Sequence, residues 1–254
     1  INLLKGAMET SNVISTVSES YSREIFDDYY AHGLAEIVER NSSKIRGILN
    51  GIDTDIYNPE TDNALFENYN IDNIEGKNIN KLNLQSLTGL PQNKDIPVIG
   101  IISRLVNHKG FDLITEAMEE ILKERVQLII LGKGDRGYEL FFKSMQDSYN
   151  EKVSARIDFN SDLARKIYAG ADLFLMPSIS EPCGIAQMIS SRYGTVPIVR
   201  ETGGLKDSIK DASLGEGNGF TFGEQSPHAL YDAVKRALRV YNNKEDWGKL
   251  VKSV

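Results

Sequence analysis

From Pro97 onward the chain alternates short apolar runs with amphipathic stretches, and that regularity leaves few folds able to hold it. Runs at residues 98–102, 127–131, 154–157, 173–176, 196–199 and 219–222 have the length and composition of strands. Helical patterns fall between them at 111–124, 138–149, 162–169, 185–192 and 205–210, followed by 227–241 and a short piece around Trp247. In the first of these, Leu113, Ile114, Ala117, Met118, Ile121 and Leu122 make the stripe of a half-buried helix. Strands joined through crossover helices run parallel, and helices then cover both faces of the sheet. The expected class is α/β, a six-stranded parallel sheet with helices on both faces.

Upstream the pattern is looser. Residues 12–17 read as a strand ending at Ser18 and Glu19, with helical stretches at 21–28 and 33–40 and another short strand at 46–49. Asn50-Gly51-Ile52-Asp53 is a turn signal, and the Asn-rich segment 53–80 has few periodic apolar residues, so it is expected to be a surface connection or an insertion. A helical pattern at 82–90 leads to Pro91. The chain opens inside a helical pattern (Leu3, Leu4, Ala7, Met8) without a start methionine, which suggests a fragment: one complete domain plus part of another among 254 residues.

The net charge of −7, with acids and bases interspersed, argues against a nucleic-acid partner, because phosphate backbones are held by clustered cations. No apolar run approaches the roughly 18 to 20 residues of a membrane span, so no membrane partner is expected. Cys183 cannot form an internal disulfide and no signal peptide is visible, which makes a cytoplasmic location the default. His32, His108 and His228 show no ligand spacing with one another or with Cys183, and no metal is expected.

In an open parallel sheet, ligands bind at the carboxyl ends of the strands, so motifs there bear on function first. Ser103-Arg104-Leu105 with Lys109-Gly110 follows one strand. A guanidinium fork and a mobile ammonium, a few residues apart on one loop, suit a diphosphate. His108 between them reads as a loop residue. Glu181-Pro182-Cys183-Gly184 follows another strand and enters a helix whose first N–H groups, at Gly184, Ile185, Ala186 and Gln187, should lack partners and form an anion cradle. Glu181 would be repelled by a bound phosphate, so a sugar hydroxyl or a developing sugar cation is its expected partner. Cys183 has no companion base and reads as a packing or backbone contact, not a nucleophile. Thr202-Gly203-Gly204-Leu205 repeats the theme of small residues entering a helix, a second cradle facing Arg104 and Lys109.

A competing signal lies at Gly132-Lys133-Gly134-Asp135-Arg136-Gly137, a literal G-x-G-x-x-G, with Asp158 about twenty residues after it where a dinucleotide fold places a ribose-binding acid. That fingerprint normally opens its fold, whereas here a complete strand-loop-helix unit precedes it. The preferred reading is a tight turn with Asp135 as helix N-cap.

Taken together, these motifs resemble the bacterial glycogen synthase and plant starch synthase family. Ser103-Arg104-Leu105 with Lys109-Gly110, Leu131-Gly132-x-Gly134-Asp135, Pro177-Ser178 leading to Glu181-Pro182-Cys183-Gly184, Tyr193-Gly194-Thr195-Val196-Pro197 and Thr202-Gly203-Gly204-Leu205 occur in family order. Leu49-Asn50-Gly51-Ile52-Asp53 and Asn58-Pro59-Glu60-Thr61-Asp62 extend the match upstream. The resemblance implies a two-domain GT-B glycosyltransferase whose C-terminal, Rossmann-like domain holds the nucleotide. Residues 1–45 would be the tail of the N-terminal acceptor domain, 46–95 the hinge and connecting segment, and 96–254 the nucleotide-sugar-binding domain.

The implied reaction is retaining transfer of glucose from ADP-glucose to the non-reducing end of an α-1,4-glucan, without a cofactor beyond that donor. Arg104 and Lys109 would neutralise the diphosphate, Glu181 would sit beside the donor sugar, Asn50 would contact that sugar, and Phe159 would stack on the base. The chain departs from the family pattern at several points. Ala186 replaces a hydroxyl near the phosphate, Ile189 stands where related retaining transferases carry a second glutamate, and the N-terminal Lys-x-Gly-Gly loop is absent. The fragment is therefore expected to bind nucleotide weakly and not to catalyse alone. The alternative reading is a non-catalytic dinucleotide- or nucleotide-binding module.

Overall fold

The computed structural model describes residues 2–254. The chain begins with α1 (Leu3–Thr10), β1 (Ile14–Thr16), α2 (Glu19–Glu24), α3 (Asp28–Ala31), α4 (Ala35–Arg40) and β2 (Ile45–Gly47). β1 and β2 form a separate two-stranded parallel sheet, Ile14 opposite Ile45, over a small core of Met8, Ile37, Val38 and Ile45. The stretch 21–28 is not one helix. Asp27 accepts a hydrogen bond from the Tyr29 N–H and starts α3 as its N-cap, so the backbone breaks after α2.

α5 (Glu75–Thr88) is longer than the sequence pattern suggests, and the segment before it is no loose connection. Its buried face is Gly76, Lys77, Asn80, Lys81, Leu84, Gln85 and Thr88: a helical stripe written mostly in polar residues. Lys77 Nζ donates to the carbonyls of Ala169 and Tyr193, both at 3.0 Å, and to Thr195 Oγ1 at 2.6 Å. Lys81 Nζ lies 2.7 Å from Asp172, whose carboxylate also accepts the Val98 N–H. Ahead of α5, buried Asp62 accepts from the Tyr193 hydroxyl at 2.5 Å and Arg165 at 2.9 Å, while the Tyr69 hydroxyl donates to the Tyr193 carbonyl. Burying charges demands such partners, which is why this polar segment packs tightly.

The remaining elements are β3 (Val98–Ile102), α6 (Phe111–Lys123), β4 (Gln127–Leu131), α7 (Arg136–Ser148), β5 (Val153–Arg156), α8 (Ser161–Gly170), β6 (Leu173–Met176), α9 (Ala186–Arg192), β7 (Val196–Arg200), α10 (Gly203–Ser208), β8 (Phe220–Phe222), α11 (Pro227–Asn242) and α12 (Lys244–Ser253). All six strands are parallel, in the order β5-β4-β3-β6-β7-β8. Alternation sorts the core. Ile99, Ile101, Leu128 and Ile130 pack with Ile114 and Met118 of α6 and with Val234 of α11. Val98, Ile129 and Leu131 face Leu84 of α5 and Ile167 of α8 on the other side.

The strand order fixes where a ligand binds. From β3 the chain builds outward through β4 to β5, then returns to place β6 on the other flank of β3. The connections leaving β3 and β6 therefore diverge, opening a crevice at the carboxyl ends of these two strands. The Arg104 and Glu181 motifs are the loops that follow them.

Candidate functional site

The loop after β3 is pinned from below. Buried Leu105 pairs with the β4–α7 turn, its N–H donating to the Lys133 carbonyl at 2.9 Å and its carbonyl accepting from Asp135 N–H at 2.7 Å. A Cβ at Gly132 would lie 1.9 Å from the Ser103 carbonyl oxygen, and one at Gly134 would lie 2.2 Å from that of Leu105. The glycines of the G-x-G-x-x-G thus serve the approach of two protein loops, which explains them without a dinucleotide. Asp135 is the N-cap residue of α7, yet its side chain makes no capping hydrogen bond; Glu139 reaches back to the Gly134 N–H instead. With Leu105 buried, Arg104 is exposed, and among the described residues its guanidinium has no hydrogen-bond or ion-pair partner.

A 3-10 turn, Asn107–Lys109, then delivers the second cation. Gly110 closes it at φ 78°, and a Cβ there would stand 2.0 Å from the Pro177 carbonyl oxygen, so both conformation and space require glycine. The two loops are stitched together: the His108 carbonyl accepts from Ile179 N–H at 2.9 Å and Ser180 N–H at 3.3 Å. Lys109 Nζ consequently lies 2.6 Å from Glu181 Oε2. The Ser178 hydroxyl donates to the same oxygen at 2.9 Å, while Oε1 accepts no hydrogen bond from the described residues. His108 has its pKa lowered by partial burial and by the charges of Lys109 and Arg104, with Glu181 opposing. The structure thus brings Lys109 and Glu181 into direct contact, whereas Arg104 is paired with neither.

The helix entrance leaves a run of backbone donors open. Among the described residues, the N–H groups of Gly184, Ile185, Ala186 and Gln187 have no partner in the chain. Cys183 is buried, which raises its thiol pKa, and a hydrogen bond from the Asn50 backbone opposes that shift. That contact puts exposed Asn50 beside the Glu181 motif.

Two cavities flank the end of β3 and share Ile102 and Ser103 in their walls. One, about 190 Å³, is lined by Lys109, Ser178, Glu181, Gly184, Ile185 and Ala186. The other, about 240 Å³, is walled by Arg104, Gly132, Asp158, Phe159 and Asn160. Phe159 is 89% exposed at its rim, an unusual state for a large aromatic with nothing to cover it.

Thr202, Gly203 and Gly204 are arranged differently from the cradle the sequence suggests. The Gly203 N–H and the Thr202 hydroxyl both donate to the Glu24 carboxylate, and Gly204 N–H donates to the carbonyls of Glu181 and Pro182. A Cβ at Gly203 would sit 2.1 Å from the Glu181 carbonyl oxygen, and one at Gly204 would sit 2.2 Å from that of Cys183. Here the close backbone approach is to the Glu181 motif itself.

Sequence reasoning missed Ser178, Glu24 and Arg200. The Arg200 guanidinium is buried, and it donates to the carbonyls of Ser178, Ile179 and Gly223, holding the Glu181 loop from below. Its signal was available: a cation closing an otherwise apolar strand.

A family model described as glycosyl transferases group 1 matches residues 88–253, the greater part of the chain. The chain belongs to this family. A second model, the starch synthase catalytic domain, matches residues 1–40 of this group 1 glycosyltransferase. It is 49% identical to the glycogen synthase of Clostridium novyi over 99% of its length and 50% identical to that of Kosmotoga olearia over 98%, in each case covering 53% of the relative. The catalytic domain of starch synthase IV from Arabidopsis thaliana, bound to ADP and acarbose, superimposes over all of the chain and 53% of its own, at 37% identity and a TM-score of 0.93. The glycosyltransferase chain thus spans about half the length of the relatives it matches, and its six-stranded sheet is the Rossmann-like lobe of the GT-B fold.

Proposed function

We propose that this chain is the donor-binding half of a glycogen synthase, which transfers glucose from ADP-glucose to the non-reducing end of an α-1,4-glucan with retention of configuration. Residues 96–254 form its nucleotide-sugar domain, 46–95 the connection and 1–45 the tail of the acceptor-side domain. The reading uses no resident cofactor or metal, takes ADP or ADP-glucose and a glucan as partners, and assigns a cytoplasmic location. No helix among the described residues is long and apolar enough to cross a membrane. The supporting relatives are glycogen synthases by name, and the aligned starch synthase holds ADP.

The observation that carries the proposal is the pair of adjoining cavities with Ile102 and Ser103 between them. The more apolar one, with Phe159 at its rim, suits a base; the other, into which Lys109, Ser178 and Glu181 bring polar groups, suits a diphosphate and a sugar. Between base and sugar the ligand's negative charge then meets Arg104, Lys109 and the unpaired N–H groups of residues 184–187.

Glycosyl transfer asks for charge stabilisation more than covalent help. As the bond from the anomeric carbon to the diphosphate oxygen breaks, positive charge grows on the sugar and negative charge on the departing oxygen. Fixed cations at that oxygen lower the barrier directly. An ammonium has three donors; Glu181 engages one on Lys109, leaving two for phosphate oxygens. The same ion pair holds Glu181 beside the anionic leaving group, with Oε1 available to a sugar hydroxyl or the developing cation.

Binding of ADP, UDP, ADP-glucose and NAD, followed as thermal stabilisation, tests the proposal. ADP compounds should stabilise the protein and Lys109→Ala should abolish the effect. A preference for NAD would overturn the reading in favour of a dinucleotide-binding module.

A further inference from the structure

One contact in the fold serves neither the cavities nor the hydrophobic cores. α2 belongs to the small N-terminal unit and α10 to the six-stranded lobe, yet each caps the other. Glu24, the last residue of α2, places its carboxylate on the first turn of α10, accepting from Gly203 N–H at 2.8 Å and from the Thr202 hydroxyl at 3.2 Å. Asp207, near the end of α10, returns the contact, accepting from Ser20 N–H at 2.9 Å and the Ser20 hydroxyl at 2.5 Å in the first turn of α2. A helix start carries unpaired N–H groups and partial positive charge, so a carboxylate supplied from outside stabilises it as an internal cap does. Thr202 occupies the N-cap position of α10 but makes no capping bond there; its hydroxyl is committed to Glu24.

The clasp reaches the site in one step. Gly203 and Gly204 lie directly against the backbone of residues 181–183, and Gly204 N–H donates to the Glu181 and Pro182 carbonyls at 3.2 Å. Gln187, in the first turn of α9, donates to Ser208 Oγ at 3.1 Å. Displacement of α10 would therefore move the Glu181 motif and the donor cluster at residues 184–187 together.

We propose that Glu24 and Asp207 are positioning residues: a reciprocal carboxylate clasp through which the N-terminal unit sets the placement of the Glu181 loop. The inference rests on the glucosyl-transfer reading for its catalytic consequence, though the clasp itself does not. Neither residue lines the base or diphosphate cavity, so the clasp should govern turnover rather than nucleotide affinity.

The test combines hydrogen exchange with kinetics on the full-length protein, comparing wild type with Glu24→Ala, Glu24→Gln and Asp207→Ala. In Glu24→Ala, the amides of Ile179, Ser180 and Ile189, hydrogen-bonded on either side of the Glu181 motif, and those of residues 203–206 should exchange about tenfold faster and kcat should fall about tenfold, while ADP affinity stays within about twofold of wild type. Glu24→Gln keeps an acceptor for Gly203 N–H and should recover most of the loss. Asp207→Ala should loosen residues 18–24 as well as 203–207. Unchanged exchange at Ile179, Ser180 and Ile189 in Glu24→Ala would overturn the clasp, as would a loss of ADP affinity in step with kcat, or a Gln variant no better than Ala. A wild-type protein that neither binds ADP nor transfers glucose would instead overturn the glucosyl-transfer reading, and the exchange measurements would still decide the clasp.

Discussion

Lys109 and Glu181, 72 residues apart in sequence, form a 2.6 Å ion pair at the mouth of the crevice between β3 and β6. Their side chains are largely withdrawn from solvent, so removing either leaves a poorly solvated charge behind. Lys109→Ala in the full-length protein should therefore lower kcat/KM by about 2–5 kcal/mol, the range for truncating one partner of a buried hydrogen-bonded charge pair. Steady-state kinetics with ADP-glucose measure this directly, and near-normal turnover would defeat the assignment.

Phe159 separates binding from stability. Its ring is almost wholly exposed, so Phe159→Ala should change the unfolding free energy by no more than about 0.5 kcal/mol. If the ring stacks on the base, the same change weakens ADP binding by about 1–3 kcal/mol. Calorimetric titration with ADP, paired with denaturant unfolding, reads both quantities.

Gly204→Ala should show the opposite split. The new methyl would be forced against the Cys183 carbonyl, 2.2 Å away, at a cost of about 1–3 kcal/mol for overpacking. A melting temperature lowered by several degrees is expected; an unchanged one with weakened ADP binding would show that the glycine faces the ligand and not the protein.

These contrasts show what the sequence made legible. The six strands were readable because β3, β4, β6 and β7 are buried on both faces and spell continuous apolar runs. Arg104, Lys109 and Glu181 stood out in the sequence because each lies in a loop that follows such a run, and the fold brings Lys109 and Glu181 into contact. α5 was only half readable, since its buried stripe carries Lys77, Asn80, Lys81 and Gln85, and hydropathy cannot distinguish a satisfied buried polar residue from a solvated one. Partners of the two lysines include Ala169, Asp172, Tyr193 and Thr195, some 90 to 120 residues away in the chain. For the same reason the glycines at 203 and 204 signalled a close approach without saying to what. Only the fold brings Glu24 to one side of them and Glu181 to the other.

Lys77 supplies a pH signature for that polar core. Burial is the main cause lowering its pKa from 10.5 to about 7, helped by Lys81 and opposed by Asp172. Between these two values the unfolded chain binds a proton that the folded protein releases, so stability should rise as pH increases through this window and flatten below about 7, where the lysine is charged in both states. Lys77→Met should remove that slope. It should also leave the Ala169 and Tyr193 carbonyls without their Nζ donor, costing about 1–3 kcal/mol. Denaturant unfolding of both proteins at pH 6.5, 8 and 9.5 measures the difference, and parallel pH profiles would show that Lys77 keeps its proton throughout.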